Sequence, residues 1–218
     1  MKKITLIIFI LGSSVMCAQQ IYLERGKTIS SFDYKNSLGN GLDNLQSTSN
    51  SSMSLGFRNK FLLKKLNLSA GFSYAGYGAI GSDDAVGNFM EWDLNYLELN
   101  AALDYNLFKM NNLQFYIKGA ASAGFLVQGT QTLNNQVFNL KNQDDFDKTV
   151  FDFRAGFGAA LPISTSVSIY MQYMRGKSFN LAEGTAVTSD QEEIRIVSDN
   201  ISFGLFIELQ EFRFRSQN

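Results

Sequence analysis

The sequence predicts an all-β chain, an eight-stranded antiparallel up-and-down β-barrel with four long loops at one end and three tight turns at the other. Three observations carry that prediction. Apolar residues alternate with polar or small ones over segment after segment, the period of two that a strand imposes on its side chains. Seven such segments are clear and an eighth is weaker, so the strand count is even. Long and short connections follow one another in strict succession, and short turns demand antiparallel neighbours.

The chain opens with MKKITLIIFILGSSVMCAQQ: two lysines, an apolar run at 4–11 interrupted only by Thr5, then small residues leading to Ala18. This is the layout of a secretory signal peptide, too short in its apolar run to span a bilayer as a helix. Cleavage after Ala18 divides the chain into a signal at 1–18 and a barrel domain at 19–218. Cys17 invites a lipoprotein reading, but Met16 stands where a lipobox carries a small residue. If Cys17 leaves with the signal, the mature chain has no cysteine, and no disulfide framework supports it.

The weak strand comes first, in GKTISSFDYKN at 26–36, where Phe32 and Tyr34 share the phase of Thr28 and Ser30. Next, Met53, Leu55, Phe57 and Phe61 oppose Ser52, Ser54, Gly56, Arg58 and Lys60, and Leu66, Leu68, Ala70, Phe72 and Tyr74 oppose Asn67, Ser69, Gly71 and Ser73. In YLELNAALDYNLF the leucines at 97, 99, 103 and 107 oppose Glu98, Asn100, Ala102 and Asp104; in LQFYIKGAASAGF, Phe115, Ile117 and Phe125 oppose Tyr116, Lys118 and Ser122. VFDFRAGFGAALP, at 150–162, sets Phe151, Phe153, Phe157 and Leu161 against Asp152, Arg154, Gly156 and Gly158. The series ends with Val167, Ile169, Met171 and Tyr173 against Tyr170 and Gln172, then Ile201, Phe203, Leu205, Ile207 and Leu209 against Ser202, Gly204, Phe206 and Glu208. Long connections are expected near 37–50, 77–94, 127–149 and 178–199, and tight ones at 62–65, 109–112 and 162–165. A helical reading fails: at 3.6 residues per turn Phe151 would align with Arg154, Ala155 and Gly158, which makes no apolar stripe, and each glycine would cost up to about 1 kcal/mol.

Alternation alone does not say which face points inward. A soluble barrel hides its apolar phase around a ligand cavity, whereas an outer-membrane barrel turns it to lipid. Here the polar phase is crowded with Gly, Ala and Ser, which suits a narrow interior. Its charges balance: Arg58, Lys60, Lys118 and Arg154 against Glu98, Asp104, Asp152 and Glu208. Such a set suggests a paired network in a lumen, because unpaired charges there are costly; scattered solvent-facing charges on a soluble sheet are the competing reading. Segments of about 9 to 13 residues match a tilted crossing. Tyr22, Tyr34, Tyr74, Tyr77, Phe89, Trp92, Tyr96, Tyr105, Phe108, Phe125 and Tyr173 sit near strand ends, where interfacial girdles would be.

YLELNAALDYNLF (96–108), FYIKGAASAGFL (115–126), FDFRAGFGAAL (151–161) and the last segment ISFGLFIEL together resemble the small outer-membrane β-barrel proteins of the Bacteroidota, the PorT-like "outer membrane protein beta-barrel" family. That resemblance implies a location in the cell outer membrane, with the long loops extracellular, and no single activity. The last segment, through Gly204, Ile207 and Leu209, also resembles the C-terminal signal read by the barrel assembly machinery. Such signals usually end the chain on an aromatic, whereas Phe212 and Phe214 are here followed by RSQN.

Composition removes several function classes. The chain has no histidine, the base around which outer-membrane hydrolases and proteases are built. Asp152 and Arg154, on one face of one strand, read as a structural ion pair and not as acid and base, so no catalytic residue is assigned. With neither histidine nor mature cysteine, only hard-cation sites remain. The acids at Asp83, Asp84, Asp144, Asp145, Asp147, Glu192 and Glu193 read as solvated loop charge, with no metal and no cofactor expected. A net charge of -1, or -3 without Lys2 and Lys3, gives no electrostatic case for nucleic acid. An eight-stranded barrel is just wide enough for side chains to fill, and Tyr116, Tyr170, Gln172 and Phe206 would do so. The expected protein is a non-enzymatic, plugged barrel in contact with outer-membrane lipid, a structural or interaction component whose loops meet envelope or secretion-machinery partners. The alternatives are a soluble periplasmic or exported barrel holding a small lipophile, and a narrow porin-like channel.

Overall fold

The computed structural model describes residues 20–35, 45–61, 65–83, 88–142, 148–179, 181–183 and 192–209. Eight strands form the barrel: β1 (Gln20–Lys35), β2 (Gln46–Lys60), β3 (Leu66–Asp83), β4 (Asn88–Met110), β5 (Leu113–Leu133), β7 (Thr149–Pro162), β8 (Val167–Ser178) and β10 (Glu192–Glu208). Two short strands, β6 (Gln136–Asn139) on β5 and β9 (Leu181–Glu183) on β10, extend its long-loop end. Each barrel strand pairs antiparallel with its neighbours, and β1 pairs with β10 from Gln20↔Glu208 to Lys35↔Glu193. The sheet therefore closes, and no barrel strand is left as an edge, which is what a sheet in lipid requires.

The register fixes the barrel's dimensions. Following paired residues around the wall leads from Ile21 through Phe57, Ala70, Ala101, Ala121, Phe153, Lys177 and Val197 back to Ser31. The circuit returns to β1 ten residues above its start. With about 3.3 Å per residue and about 4.7 Å between strands, that stagger tilts the strands by about 40°.

Two turns show their local cause. Asn111 opens the two-residue link between β4 and β5 with φ 54°, and Asn134 and Asn135, at 47° and 68°, make the tight β5–β6 hairpin. Asparagine tolerates the left-handed region that such turns need.

The outer face is apolar: Phe157 and Phe203 are each 62% exposed, while Glu98 on the inner face is fully buried. Thirty-one large apolar side chains are exposed among the described residues. A continuous apolar surface of that kind is unfavourable in water and belongs in lipid. The molecule is an eight-stranded transmembrane β-barrel.

The strands are longer than the sequence pattern suggests. β4 runs for 23 residues and β3 for 18, so most of the loop expected at 77–94 is strand. The first strand begins at Gln20 and not at 26. The reason is an inversion of polarity within the strands. On β4, Trp92, Leu94 and Tyr96 point inward and are buried, whereas from the next residue on Leu97 and Leu99 point outward and are exposed. On β10, Ile194 and Ile196 are buried above, and Ile201 and Phe203 are exposed below. Above that level the barrel has the polarity of a soluble β-barrel, apolar inside and polar outside. A bulge at Val127 of β5 lies beside the change on β4, where Asn95 pairs Gln128 but Tyr96 pairs Leu126.

Candidate functional site: the barrel lumen

The lumen is built in three levels. At the tight-turn end, Arg58 of β2 meets Asp104 of β4 through two contacts, Nε to Oδ1 at 3.1 Å and Nη2 to Oδ2 at 2.5 Å. Asn67 donates to the same carboxylate at 2.9 Å, and Arg58 also donates to Gln20 Oε1 at 2.6 Å. Gln20 in turn donates to Glu208. The guanidinium lies 4.4 Å from the centre of the Phe206 ring, which stacks on Tyr170 at 4.1 Å.

Above it, Glu24 of β1 accepts hydrogen bonds from Tyr170 Oη and Gln172 Nε2, both at 2.7 Å. Gln172 Oε1 accepts from Tyr116 Oη and Lys118 Nζ, each at 3.2 Å. Three tyrosine rings occupy this level, and each lies over a glycine of the paired strand. A Cβ at Gly56 would stand 2.6 Å from the Tyr22 ring, one at Gly158 2.4 Å from Tyr116, and one at Gly204 2.3 Å from Tyr170. These are directly paired residues, Tyr22↔Gly56, Tyr116↔Gly158 and Tyr170↔Gly204. The aromatic ring covers the backbone that the glycine leaves bare.

The third level centres on Arg154 of β7. Its guanidinium reaches Glu98 at 2.7 Å and Asp152 at 2.8 Å, and donates to Tyr77 Oη at 2.8 Å. Ser73 donates to Glu98 at 2.7 Å, Tyr77 donates to it at 2.5 Å, and Ser122 donates to Asp152. Tyr77 joins two environments, because its ring packs edge-on against Tyr96 at 5.9 Å in an apolar cap. That cap contains Phe32, Trp92, Leu94, Leu126, Val150, Ile194 and Ile196, with Leu140 folded in from the single 3-10 turn among the described residues. Between the levels lies a polar cavity of about 50 Å³ lined by small residues such as Ser52, Ser69 and Ser73 together with Glu24, Lys118 and Arg154. Such a space holds a few waters at most.

The polar contacts fall in separate groups: Arg58 with Asp104, Arg154 with Glu98 and Asp152, and Lys118 on Gln172. Glu208 lies at the lower rim. Lys60 is exposed at the end of β2 and pairs with no acid among the described residues. Glu24 is a lumen acid that the sequence reading passes over, because it lies before the residue at which the first strand was expected to begin. The fourfold balance of charge is thus replaced by Arg58, Lys118 and Arg154 against Glu24, Glu98, Asp104 and Asp152, with hydroxyl and amide donors making up the difference.

The expected girdle needs a larger correction. Tyr22, Tyr77, Trp92 and Tyr96 are buried inside the barrel, while Tyr74, Phe89, Tyr105, Phe108 and Phe125 are exposed outside. Inward aromatics near strand ends look like girdle residues until the phase of the strand is known. The Tyr34 side chain, Asp84, Asp144, Asp145, Asp147, Phe212 and Phe214 fall outside the described residues, as does the segment 1–18.

Among the described residues, no group of three or more His, Cys, Asp or Glu could hold a metal ion. The buried carboxylates are engaged by guanidinium, amide or hydroxyl donors, which is structural use of charge and not a poised acid and base.

No protein-family model matches the chain, and no curated protein matches it. Among solved structures, Neisserial surface protein A is similar at 13% identity and a TM-score of 0.46, over 87% of this chain and 97% of that one. The outer membrane protein OprG from Pseudomonas aeruginosa is similar at 14% identity and 0.47, over 88% and 97%. Ail, the attachment invasion locus protein of Yersinia pestis, is similar at 11% identity and 0.39, over 85% and 99%. These are likenesses of fold, and no activity passes from them to this chain.

Proposed function

We propose that this protein is a non-conducting outer-membrane barrel that holds its long connections at the outer surface as a structural or interaction component of the cell envelope. The observation that carries the reading is the obstruction of the lumen at successive levels: the tyrosine and ion-pair groups within the membrane, and the apolar cap above them. A water-filled path would have to break both. On this reading the segment 1–18 directs export and is removed after Ala18. The barrel assembly machinery then receives the last strand through Gly204, Ile207 and Leu209, and envelope or secretion-machinery proteins meet the outward connections. Narrower kinship with the PorT-like proteins of the Bacteroidota is supported by the four segments quoted above. Planar-bilayer recording of the purified protein tests the closed lumen. The expected record is flat, and a reproducible open conductance abolished by unfolding would overturn it.

A further inference from the structure

The outer wall is not uniformly apolar. On β8, β10 and β1 the outward phase carries Arg25, Lys27, Arg175 and Lys177, all exposed, together with Asp199. Register sets their depth. Arg25 pairs with Phe203 and Met53, Lys27 with Ile201, Arg175 with Ala155, and Lys177 with Phe153. Each cation is therefore level with residues that face lipid. With the strands tilted by about 40°, the four positions fall within about 9 Å of one another in height, in the half of the apolar belt nearer the long loops. On β3, β4 and β5 the outward residues at that level are Tyr74, Leu97, Leu99 and Ala121, with no charge among them.

Part of this charge is answered within the protein. Lys177 contacts Asp33 at 2.8 Å, and Arg175 lies 4.0 Å from Asp199, which also accepts from Tyr173. Arg25 and Lys27 have no carboxylate partner among the described residues. Cations at this depth are unfavourable unless they reach the headgroup level or find an anion.

We propose that the β8–β10–β1 wall binds an anionic, phosphate-bearing lipid of the leaflet on the long-loop side, its headgroup held by Arg25, Lys27, Arg175 and Lys177. The lipid is favoured over a soluble anion because the cations lie in the upper part of the apolar belt, within side-chain reach of a headgroup at its boundary, while the acyl chains of the same lipid stay in contact with the wall. This rests on the transmembrane fold and not on the closed lumen.

The test reconstitutes the folded protein in vesicles of phosphatidylcholine mixed with phosphatidylglycerol and measures, by spin-labelled lipid, the preference of each lipid for the protein surface. Phosphatidylglycerol should be preferred, and the preference should fall with added salt. Arg25→Gln with Lys27→Gln, which disturbs no ion pair among the described residues, should reduce the preference at least about five-fold. Adding Arg175→Gln and Lys177→Gln should remove it. Equal preference for the two lipids in the parent, or a preference unchanged in the four-site variant, would overturn the proposal. Heat-modifiable migration of every sample separates these outcomes from failure of the transmembrane reading: loss of that migration in the parent would overturn both, and its retention isolates the lipid site. Glycerol phosphate added in solution should compete poorly, and full displacement by it would overturn the lipid as occupant.

Discussion

Arg154 carries more of the lumen than any other single side chain described, because Glu98 and Asp152 both depend on its charge. Replacing it with methionine keeps much of the volume and leaves two buried carboxylates without a cation. Removing one partner of a buried pair costs about 3–5 kcal/mol. Arg154→Met should therefore lower the urea midpoint of the refolded protein in detergent by a corresponding amount, and Glu98→Gln with Asp152→Asn in the same chain should recover part of the loss. A variant as stable as the parent would show that the cluster is not structural. Gly158 lies under the Tyr116 ring at the tyrosine level. Valine there places methyl groups where the Tyr116 ring lies, and overpacking of this kind costs about 1–3 kcal/mol. Gly158→Val should destabilise the barrel, and Tyr116→Ala added to it should restore part of the stability, giving a favourable coupling in a double-variant cycle.

Within one strand, β4 crosses two solvents. From Trp92 to Tyr96 its inward residues belong to an apolar cap, and from Glu98 to Asp104 they belong to the ion-pair levels. The outward residues change in the opposite sense, from Glu91, Asp93 and Asn95 to Leu97 and Leu99. β4 itself continues as a strand through that point, beside the bulge at Val127 of β5; what changes is the medium outside the wall. The cap is thus a small soluble-type core seated on a membrane barrel, and its stability follows the rules of burial in water. Leu94 is 1% exposed, so Leu94→Asp should cost about 2–5 kcal/mol through lost packing and a buried carboxylate. Limited proteolysis should show the upper barrel cleaved faster while the lower part stays resistant. Cleavage unchanged from the parent would mean that the cap does not hold the upper barrel together.

At the scale of the whole molecule, closure of β1 on β10 and the outward apolar belt define the conditions in which the fold persists. The protein should be recovered only in detergent and should migrate differently on a gel before and after boiling, because the closed sheet resists detergent until heated. Recovery in full without detergent would contradict the membrane placement directly. The same closure explains why neither the lumen nor the lipid-facing cations belong to one segment: Glu24 meets Tyr170 and Gln172, and Asp33 meets Lys177, across about two-thirds of the chain.

The features legible in the chain before folding are those that a strand encodes locally. Alternation marked the eight barrel strands, the succession of short and long connections made them antiparallel neighbours, and the small, sparsely charged phase pointed inward. It also selected Arg58, Asp104, Glu98, Asp152 and Arg154, since each stands on the polar phase of its own strand. Which residues meet depends on the closed barrel and its register. The ten-residue stagger sets Tyr22, Tyr116 and Tyr170 each over a glycine of the adjacent strand, a pairing that depends on register and not on either segment alone. Lys60 and Glu24 changed roles because a residue's place in the lumen depends on where its strand begins and ends in space. The outer limit of the apolar belt was hidden for a related reason. On β4 the apolar residues shift from even to odd positions between Tyr96 and Leu97 while the strand itself continues, and in the sequence such a phase slip reads as the end of a strand.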